Sequence, residues 1–236
     1  MIYNKEERKI VENPDNAYEL IYGLSNPSKE TIKQRIQSKI NVCDYYYLPF
    51  FNEHVSNKSQ KTVLEFGSGF GVMANYLSPL FKKYFCVDVN EFYLSECKRY
   101  TEERSNVEYF LLKDYMFNGV DLSNKSVDII KSTNVFIHLN IYQFIIYLRK
   151  FYSLLRPGGL LIFDIYDSDV LSWNDNNFSN HIENYKKQGK FTFTFKPISG
   201  KMVKEELTNM GFDLIYENLN SNGTNILGFK KRTEIL

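Results

Sequence analysis

The stretch from Val63 to Gly71 reads Val-Leu-Glu-Phe-Gly-Ser-Gly-Phe-Gly, and a second apolar run ends in an acid at Val87-Asp88 after a helix-length gap. A strand that breaks into glycines lets the backbone come close to a ligand, because glycine tolerates positive φ and has no Cβ in the way. An acid closing the next strand is placed to accept both hydroxyls of a ribose. Together they predict a cofactor that carries a nucleoside. The spacing narrows it further. A dinucleotide fingerprint needs a glycine three places after its second, where the helix meets a pyrophosphate. Counted from Gly69 that place is Val72, and the glycines stand instead at Gly67, Gly69 and Gly71, with Glu65 two places ahead.

Working outward, apolar runs alternate with helical stretches, the pattern of an α/β doubly wound sheet. Strands are predicted at Thr62 to Phe66, Tyr84 to Asp88, Val107 to Leu112, Val127 to Ser132 and Leu160 to Ile165. Helices are predicted over Gly71 to Leu77, Asn90 to Glu102 and Asn140 to Leu155. Arg156-Pro157-Gly158-Gly159 stops the last of these, since proline cannot continue a helix and glycine supplies the reversal. A polar stretch follows, Asp167 to Gln188, long enough to suggest a functional loop. Phe191 to Phe195 then alternates with period two, so its three rings share one strand face, either in the core or on a pocket wall. Ser199 opens a helix through Met210, with Gly211 as its cap. A strand at Phe212 to Glu217, a turn at Asn222-Gly223 and a returning strand at Asn225 to Lys230 close the chain. Residues 1–56 read as mostly helical, with Ser28 after Pro27 as a cap for a helix from Lys29. The division expected is a helical cap over 1–56 and a catalytic domain over 57–236.

The Glu-x-Gly-x-Gly-x-Gly pattern resembles the first motif of class I S-adenosylmethionine-dependent methyltransferases, and the likeness extends from Thr62 to Lys230. It implies a Rossmann-like fold whose mostly parallel sheet reaches seven strands through the closing antiparallel pair, with N-terminal helices covering the cofactor site. It implies that Gly67, Ser68, Gly69 and Gly71 pass under the cofactor's amino acid portion and ribose, with Glu65 ordering that loop or reaching the cofactor ammonium. Asp88 would accept the ribose hydroxyls, and Val89 would lie beside the adenine. Asp114 would receive the adenine amino group, and Tyr115 would offer a main-chain amide, with Tyr115 or Met116 on the ring face. Each has a structural alternative: an exposed strand glutamate at 65, a helix-capping aspartate at 88, a turn aspartate at 114.

The segment Lys131 to Leu139 resembles the family's passage in which small or polar residues, here from Ser132, pass the methyl group and a histidine follows. His138 is the candidate general base, since imidazole titrates near neutrality; the alternative is a packed histidine with a structural hydrogen bond. His54 and His181 are expected to face solvent. The signature Asp or Asn, Pro-Pro and an aromatic, used on nucleobase amino groups, is absent, as is a Pro-Cys pair.

Composition bounds the partners. Lys and Arg number 29 against 28 Asp and Glu, for a net charge of +1, so no basic field exists to neutralise phosphates and nucleic acid is disfavoured. Cys43, Cys86 and Cys97 are too scattered for a disulfide framework or zinc site. No His and carboxylate set with metal spacing is evident, and the chemistry needs no metal. With no apolar stretch long enough to span a membrane and no signal segment, a cytoplasmic protein is expected. The acceptor predicted is a small molecule, most simply a hydroxyl of a sugar or other polar metabolite. A nitrogen acceptor on a small amine or protein side chain, favoured by an acidic pocket of Asp167, Asp169 and Asp175, stays open. So does a module that binds the cofactor without turnover.

Overall fold

The computed structural model describes residues 29–113, 122, 126–170, 196–221 and 223–233. Asp114, Tyr115, Met116, Asp175, His181, the Phe191 to Phe195 alternation and Asn222 lie outside the described residues.

Among the described residues seven strands form one sheet, in the spatial order β3-β2-β1-β4-β5-β7-β6. They are β1 (Thr62–Phe66), β2 (Lys83–Asp88), β3 (Val107–Leu111), β4 (Val127–Ser132), β5 (Leu155–Tyr166), β6 (Phe212–Leu219) and β7 (Thr224–Lys231). The first five pair in parallel, and β7 runs antiparallel between β5 and β6. The strand order reverses between β1 and β4, so the crevice at their C-terminal ends is the place where an open α/β sheet receives a ligand. Every residue of β1 is buried, as a central strand covered on both faces requires.

The helices are α1 (Lys29–Val42), α2 (Leu48–His54), α3 (Val72–Leu77), α4 (Glu91–Tyr100), α5 (Ile141–Leu154) and α6 (Gly200–Asn209). A π-helical turn, Cys43–Tyr47, joins α1 to α2. Alternation along the strands splits the core in two. Leu64, Phe66, Phe85, Ile130 and Phe163 face α5 and α6, with Phe144, Tyr147, Phe151 and Leu207. Val63, Tyr84, Cys86, Ile129 and Ile162 face the other layer, with Tyr47, Phe50, Phe51, Met73 and Leu94. The expected N-terminal cap therefore places its last stretch in the core, through Cys43, Tyr47, Phe50, Phe51 and Val55. Tyr47, Phe50 and Phe51 are fully buried, and at ~1.5–3 kcal/mol for each such side chain they tie this segment to the sheet.

Local chemistry sets the helix ends. Asn140 and Gln143 form a reciprocal capping box at the start of α5. At its other end the chain extends directly: Leu155 already belongs to β5, which takes in the Arg156 to Gly159 turn expected to precede it, with an irregularity opposite Val127 to Ile129. Lys231 Nζ closes the α5 C-terminus by donating to the carbonyls of Tyr152 and Leu155 at 2.7 and 3.0 Å.

Candidate active site

The loop after β1 is held by hydrogen bonds to β2. The amides of Gly67 and Ser68 donate to the Val87 carbonyl at 2.7 and 3.2 Å. Gly67, Gly69 and Gly71 adopt φ of +75°, +52° and +78°, the left-handed region that side chains resist. Their surroundings differ. A Cβ on Gly67 would lie 2.1 Å from Val135 Cγ2, and one on Gly71 would lie 2.6 Å from Cys97 Sγ, whereas one on Gly69 would meet nothing within 4 Å. Gly67 and Gly71 are glycine because protein fills their space; Gly69 borders open space.

Asp88 joins the two strand ends. Its Oδ2 accepts from the Gly69 amide at 2.9 Å and its Oδ1 from the Asn90 amide at 3.0 Å. Burial pushes its carboxyl up to about 6, against the opposing pull of the Asn90, Gly69 and Val89 amides. The cap of α4 is Asn90, whose Oδ1 accepts from the amides of Phe92 and Tyr93 at 2.9 and 3.2 Å. Asp88 is thus not spent as a helix cap. Its carboxylate keeps lone-pair capacity for a further donor. Val89 is partly buried against the core below.

Glu65 is buried beneath the loop, 2 % exposed. Lys131 Nζ donates to its Oε1 at 2.6 Å, and the Tyr84 hydroxyl donates to its Oε2 at 2.9 Å. Glu65 and Lys131 stand opposite each other in the β1–β4 register. The Lys131 ammonium also lies 3.1 Å from Met73 Sδ and 4.7 Å from the centre of the Tyr47 ring. The exposed-glutamate alternative is excluded, and both carboxylate oxygens have protein partners.

Tyr47 connects the π-helical turn to the end of β4. Its hydroxyl donates to the Ser132 carbonyl at 3.1 Å and accepts from Thr133 Oγ1 at 2.5 Å. Ser132 Oγ donates to the Phe66 carbonyl at 3.0 Å, across the switch point. Beyond it, Asn134 sits at φ +56° and its amide nitrogen donates to Asp164 Oδ1 at 2.7 Å. Its side chain bridges two elements, donating to Asp164 Oδ2 at 2.9 Å and accepting from Lys39 Nζ at 2.6 Å, the orientation that satisfies both partners. Lys39 keeps part of its stem at the surface while its ammonium is drawn inward; burial holds it below the ordinary lysine value, against the pull of Asp164. Burial raises the Asp164 carboxyl, opposed by the Asn134 amide and Lys39.

His138 closes a short 3₁₀ turn, Phe136–His138, and is half-buried. Burial first, then the charges of Lys196 and Lys39, push its imidazole down to about 4, so it is neutral at pH 7. The Lys196 amide donates to the Ile137 carbonyl at 2.7 Å, bringing the segment that leads into α6 beside this turn.

Two of the acids considered for an amine pocket, Asp167 and Asp169, are engaged around the start of α6. Asp167 accepts from the amides of Asp169 and Gly200 at 3.0 and 2.9 Å and from Asn225 Nδ2 at 2.9 Å. Asp169 Oδ2 accepts from Ser199 Oγ and the Lys201 amide at 2.8 and 2.7 Å, at the start of α6. His54, expected to face solvent, is instead partly buried against Phe50, ring centres 4.9 Å apart. Lys39 and Asp164 were not among the residues singled out in the sequence, whereas Asn134 falls in the polar segment after Ser132 that was.

The crevice suits a nucleoside cofactor with an amino acid tail. Gly69 leaves open space above its backbone, Asp88 offers acceptor oxygens, and Ser68 Oγ is a buried hydroxyl without a partner among the described residues. Among the described residues no group of three or more His, Cys, Asp or Glu is arranged to hold a metal ion, and no helix is long and apolar enough to cross a membrane.

Comparison with known proteins agrees with this geometry. A family model described as a methyltransferase domain matches residues 40–217. No curated protein sequence matches the chain. Among solved structures, magnesium protoporphyrin IX methyltransferase from Synechocystis PCC 6803, crystallised with SAH, shares 16 % identity, with 92 % of this chain and 93 % of that one covered and a TM-score of 0.66. A SAM-dependent methyltransferase from Methanosarcina mazei shares 13 % identity over 79 % of this chain and 98 % of that one, with a TM-score of 0.60. At such identities the likeness speaks for the fold, and the family match carries the assignment. The chain belongs to the methyltransferase-domain family and is a class I S-adenosylmethionine-dependent methyltransferase.

Proposed function

We propose that the acceptor is a hydroxyl of a small polar molecule such as a sugar, bound beside the ends of β4 and β5. The observation that carries this is the chemistry of that wall. Thr133 and His138 offer a hydroxyl and a neutral imidazole, and the carboxyl there, Asp164, is raised by burial and already linked through Asn134 to the Lys39 ammonium. An ammonium acceptor would want free carboxylates, and Asp167 and Asp169 are engaged in holding α6. A neutral acceptor suits such a wall better.

When bound, S-adenosylmethionine supplies a sulfonium-activated methyl group. The chain's part is to align the acceptor and to manage its proton. Gly67, Ser68, Gly69 and Gly71 would cradle the cofactor, with Asp88 on its ribose, Val89, Asp114 and Tyr115 at its adenine, Glu65 setting the loop and Ser132 bordering the methyl. His138, neutral across the physiological range, would orient the acceptor by donating its ring N–H to the acceptor oxygen, leaving the hydroxyl proton free to depart. The segment over residues 29–54, which brings Lys39 and Tyr47 to this wall, supports reading the N-terminal region as the cover of the acceptor side.

The test is a panel of methyl acceptors assayed for S-adenosylhomocysteine release: methyl glycosides of common hexoses, a simple phenol, a polyamine and magnesium protoporphyrin IX. Release with a hydroxyl acceptor is expected. Turnover of the polyamine alone would overturn the hydroxyl reading.

A further inference from the structure

We infer that Lys39 is the group that takes the proton from the acceptor hydroxyl, with Asn134 and Asp164 holding its amine at the transfer site. The inference rests on the hydroxyl reading above and adds to it a residue from outside the recognised motifs.

Position comes first. Lys39 lies on α1, yet its Nζ meets Asn134 Oδ1 at 2.6 Å. Asn134 precedes Val135, whose side chain fills the space over Gly67. The amine is therefore next to the residues that flank the glycine loop, on the side where β4 and β5 end. Its ammonium feels the charges of Asp164 from β5, Lys131 from β4 and Glu65 from β1, and its own charge is felt at His138.

The holding bonds favour an amine that gives and takes a proton in place. Asn134 Oδ1 accepts a hydrogen, which both an ammonium and a neutral amine can donate, so the bond survives deprotonation and leaves the lone pair free. Asp164 is bonded twice by Asn134 and fixes the bridge. The uncommon backbone of Asn134, at φ +56°, is what turns its side chain between Asp164 and Lys39. Burial of the ammonium lowers its proton affinity, the usual way a lysine becomes a base.

His138 is poorly suited to be the final proton acceptor. Burial and two nearby lysines keep its imidazole at about 4, too weak a base for efficient transfer near neutrality. In the step proposed, the acceptor oxygen's electron pair forms the new C–O bond, the C–S bonding pair returns to sulfur, and the hydroxyl proton passes to the neutral Lys39 amine, giving an ammonium that returns it to solvent.

Three readouts test this. In the full chain with ¹³C-labelled lysines and S-adenosylhomocysteine bound, one lysine signal, missing in Lys39→Arg, should titrate clearly below ~10.4, the ordinary lysine value. Titration at or above that value overturns the assignment. Lys39→Arg and Lys39→Gln should hold S-adenosylhomocysteine within about threefold by calorimetry, since a base contributes little to binding. A loss beyond tenfold in both would make Lys39 a cofactor contact and overturn the proposal. With a methyl glycoside that the wild type turns over, Lys39→Arg should lower kcat on the order of 10²-fold and abolish the rise of rate with pH, while His138→Gln keeps that rise. An unchanged profile in Lys39→Arg sinks the role of Lys39 alone. Failure of every hydroxyl acceptor, with the lysine titration still low, sinks the hydroxyl reading and the proton transfer with it.

Discussion

The Asp88 carboxylate accepts the amide hydrogen of Gly69 at 2.9 Å, so the acid at the end of β2 and the glycine loop after β1 form one unit. A ligand that touches one is felt by the other. The loop's three glycines nevertheless answer to different demands, and substitution separates them.

Gly67→Ala should damage folding, because its new methyl meets Val135 and its φ is already left-handed. Gly69→Ala meets open space, so only the backbone penalty of ~1–2 kcal/mol applies to the free protein. Its methyl, however, projects into the space offered to the cofactor. Denaturant melts should show the larger loss in Gly67→Ala, and calorimetry should show lost cofactor binding in a folded Gly69→Ala.

The elevated Asp88 carboxyl makes cofactor binding pH-dependent. In the free protein it is protonated below about 6, and the protonated form is a poorer acceptor for two hydroxyl donors. Binding favours the ionised form, so affinity should be full above about 6 and decline as pH falls through that value. A dissociation constant that is flat between pH 7.5 and 5 would contradict the ribose contact.

His138 acts on stability in a definite direction. Its folded-state pKa of about 4 lies below the ordinary value of 6.5, so the unfolded chain takes up the proton first. The contribution is present above about 6.5 and is lost as pH falls toward about 4. The raised carboxyls of Asp88 and Asp164 act with the opposite sign, so a wild-type melt alone shows only the sum. The difference between wild type and His138→Gln isolates the imidazole: the variant should lose less stability on acidification from pH 6.5 to 4.5.

Lys131 and Glu65 are buried together, with side chains 0 % and 3 % exposed. Lys131→Met leaves a carboxylate without its cation, which should cost ~3–5 kcal/mol in urea unfolding. The double variant Glu65→Leu, Lys131→Met should recover most of that loss, since a buried pair is weakly stabilising against apolar residues of similar size. A double variant as unstable as the single one would show that the pair is needed for more than charge compensation.

What the sequence disclosed was what local rules determine. Glycine spacing is a matter of φ within five residues, so Gly67, Gly69 and Gly71 were legible and each proved left-handed. Strand and helix succession was legible because burial on both faces leaves continuous apolar runs. Lys131 was hidden inside such a run: only the β1–β4 register sets it against Glu65. Lys39 stood far from every motif, and its arrival at the end of β4 depends on how α1 and the π-helical turn pack on the sheet. Asp167 and Asp169 misled in the other direction. An acid in a polar stretch reads as a binding group, while these two are spent on backbone amides around α6.

The central claim is that S-adenosylmethionine binds at Gly69 and Asp88, and titration calorimetry of the wild type against Asp88→Ala with S-adenosylhomocysteine tests it most directly. Loss of a charge-assisted hydrogen bond predicts a weakening of ~1.5–3 kcal/mol, at least tenfold in Kd, in a variant that stays folded. An affinity within about twofold of the wild type would contradict the account.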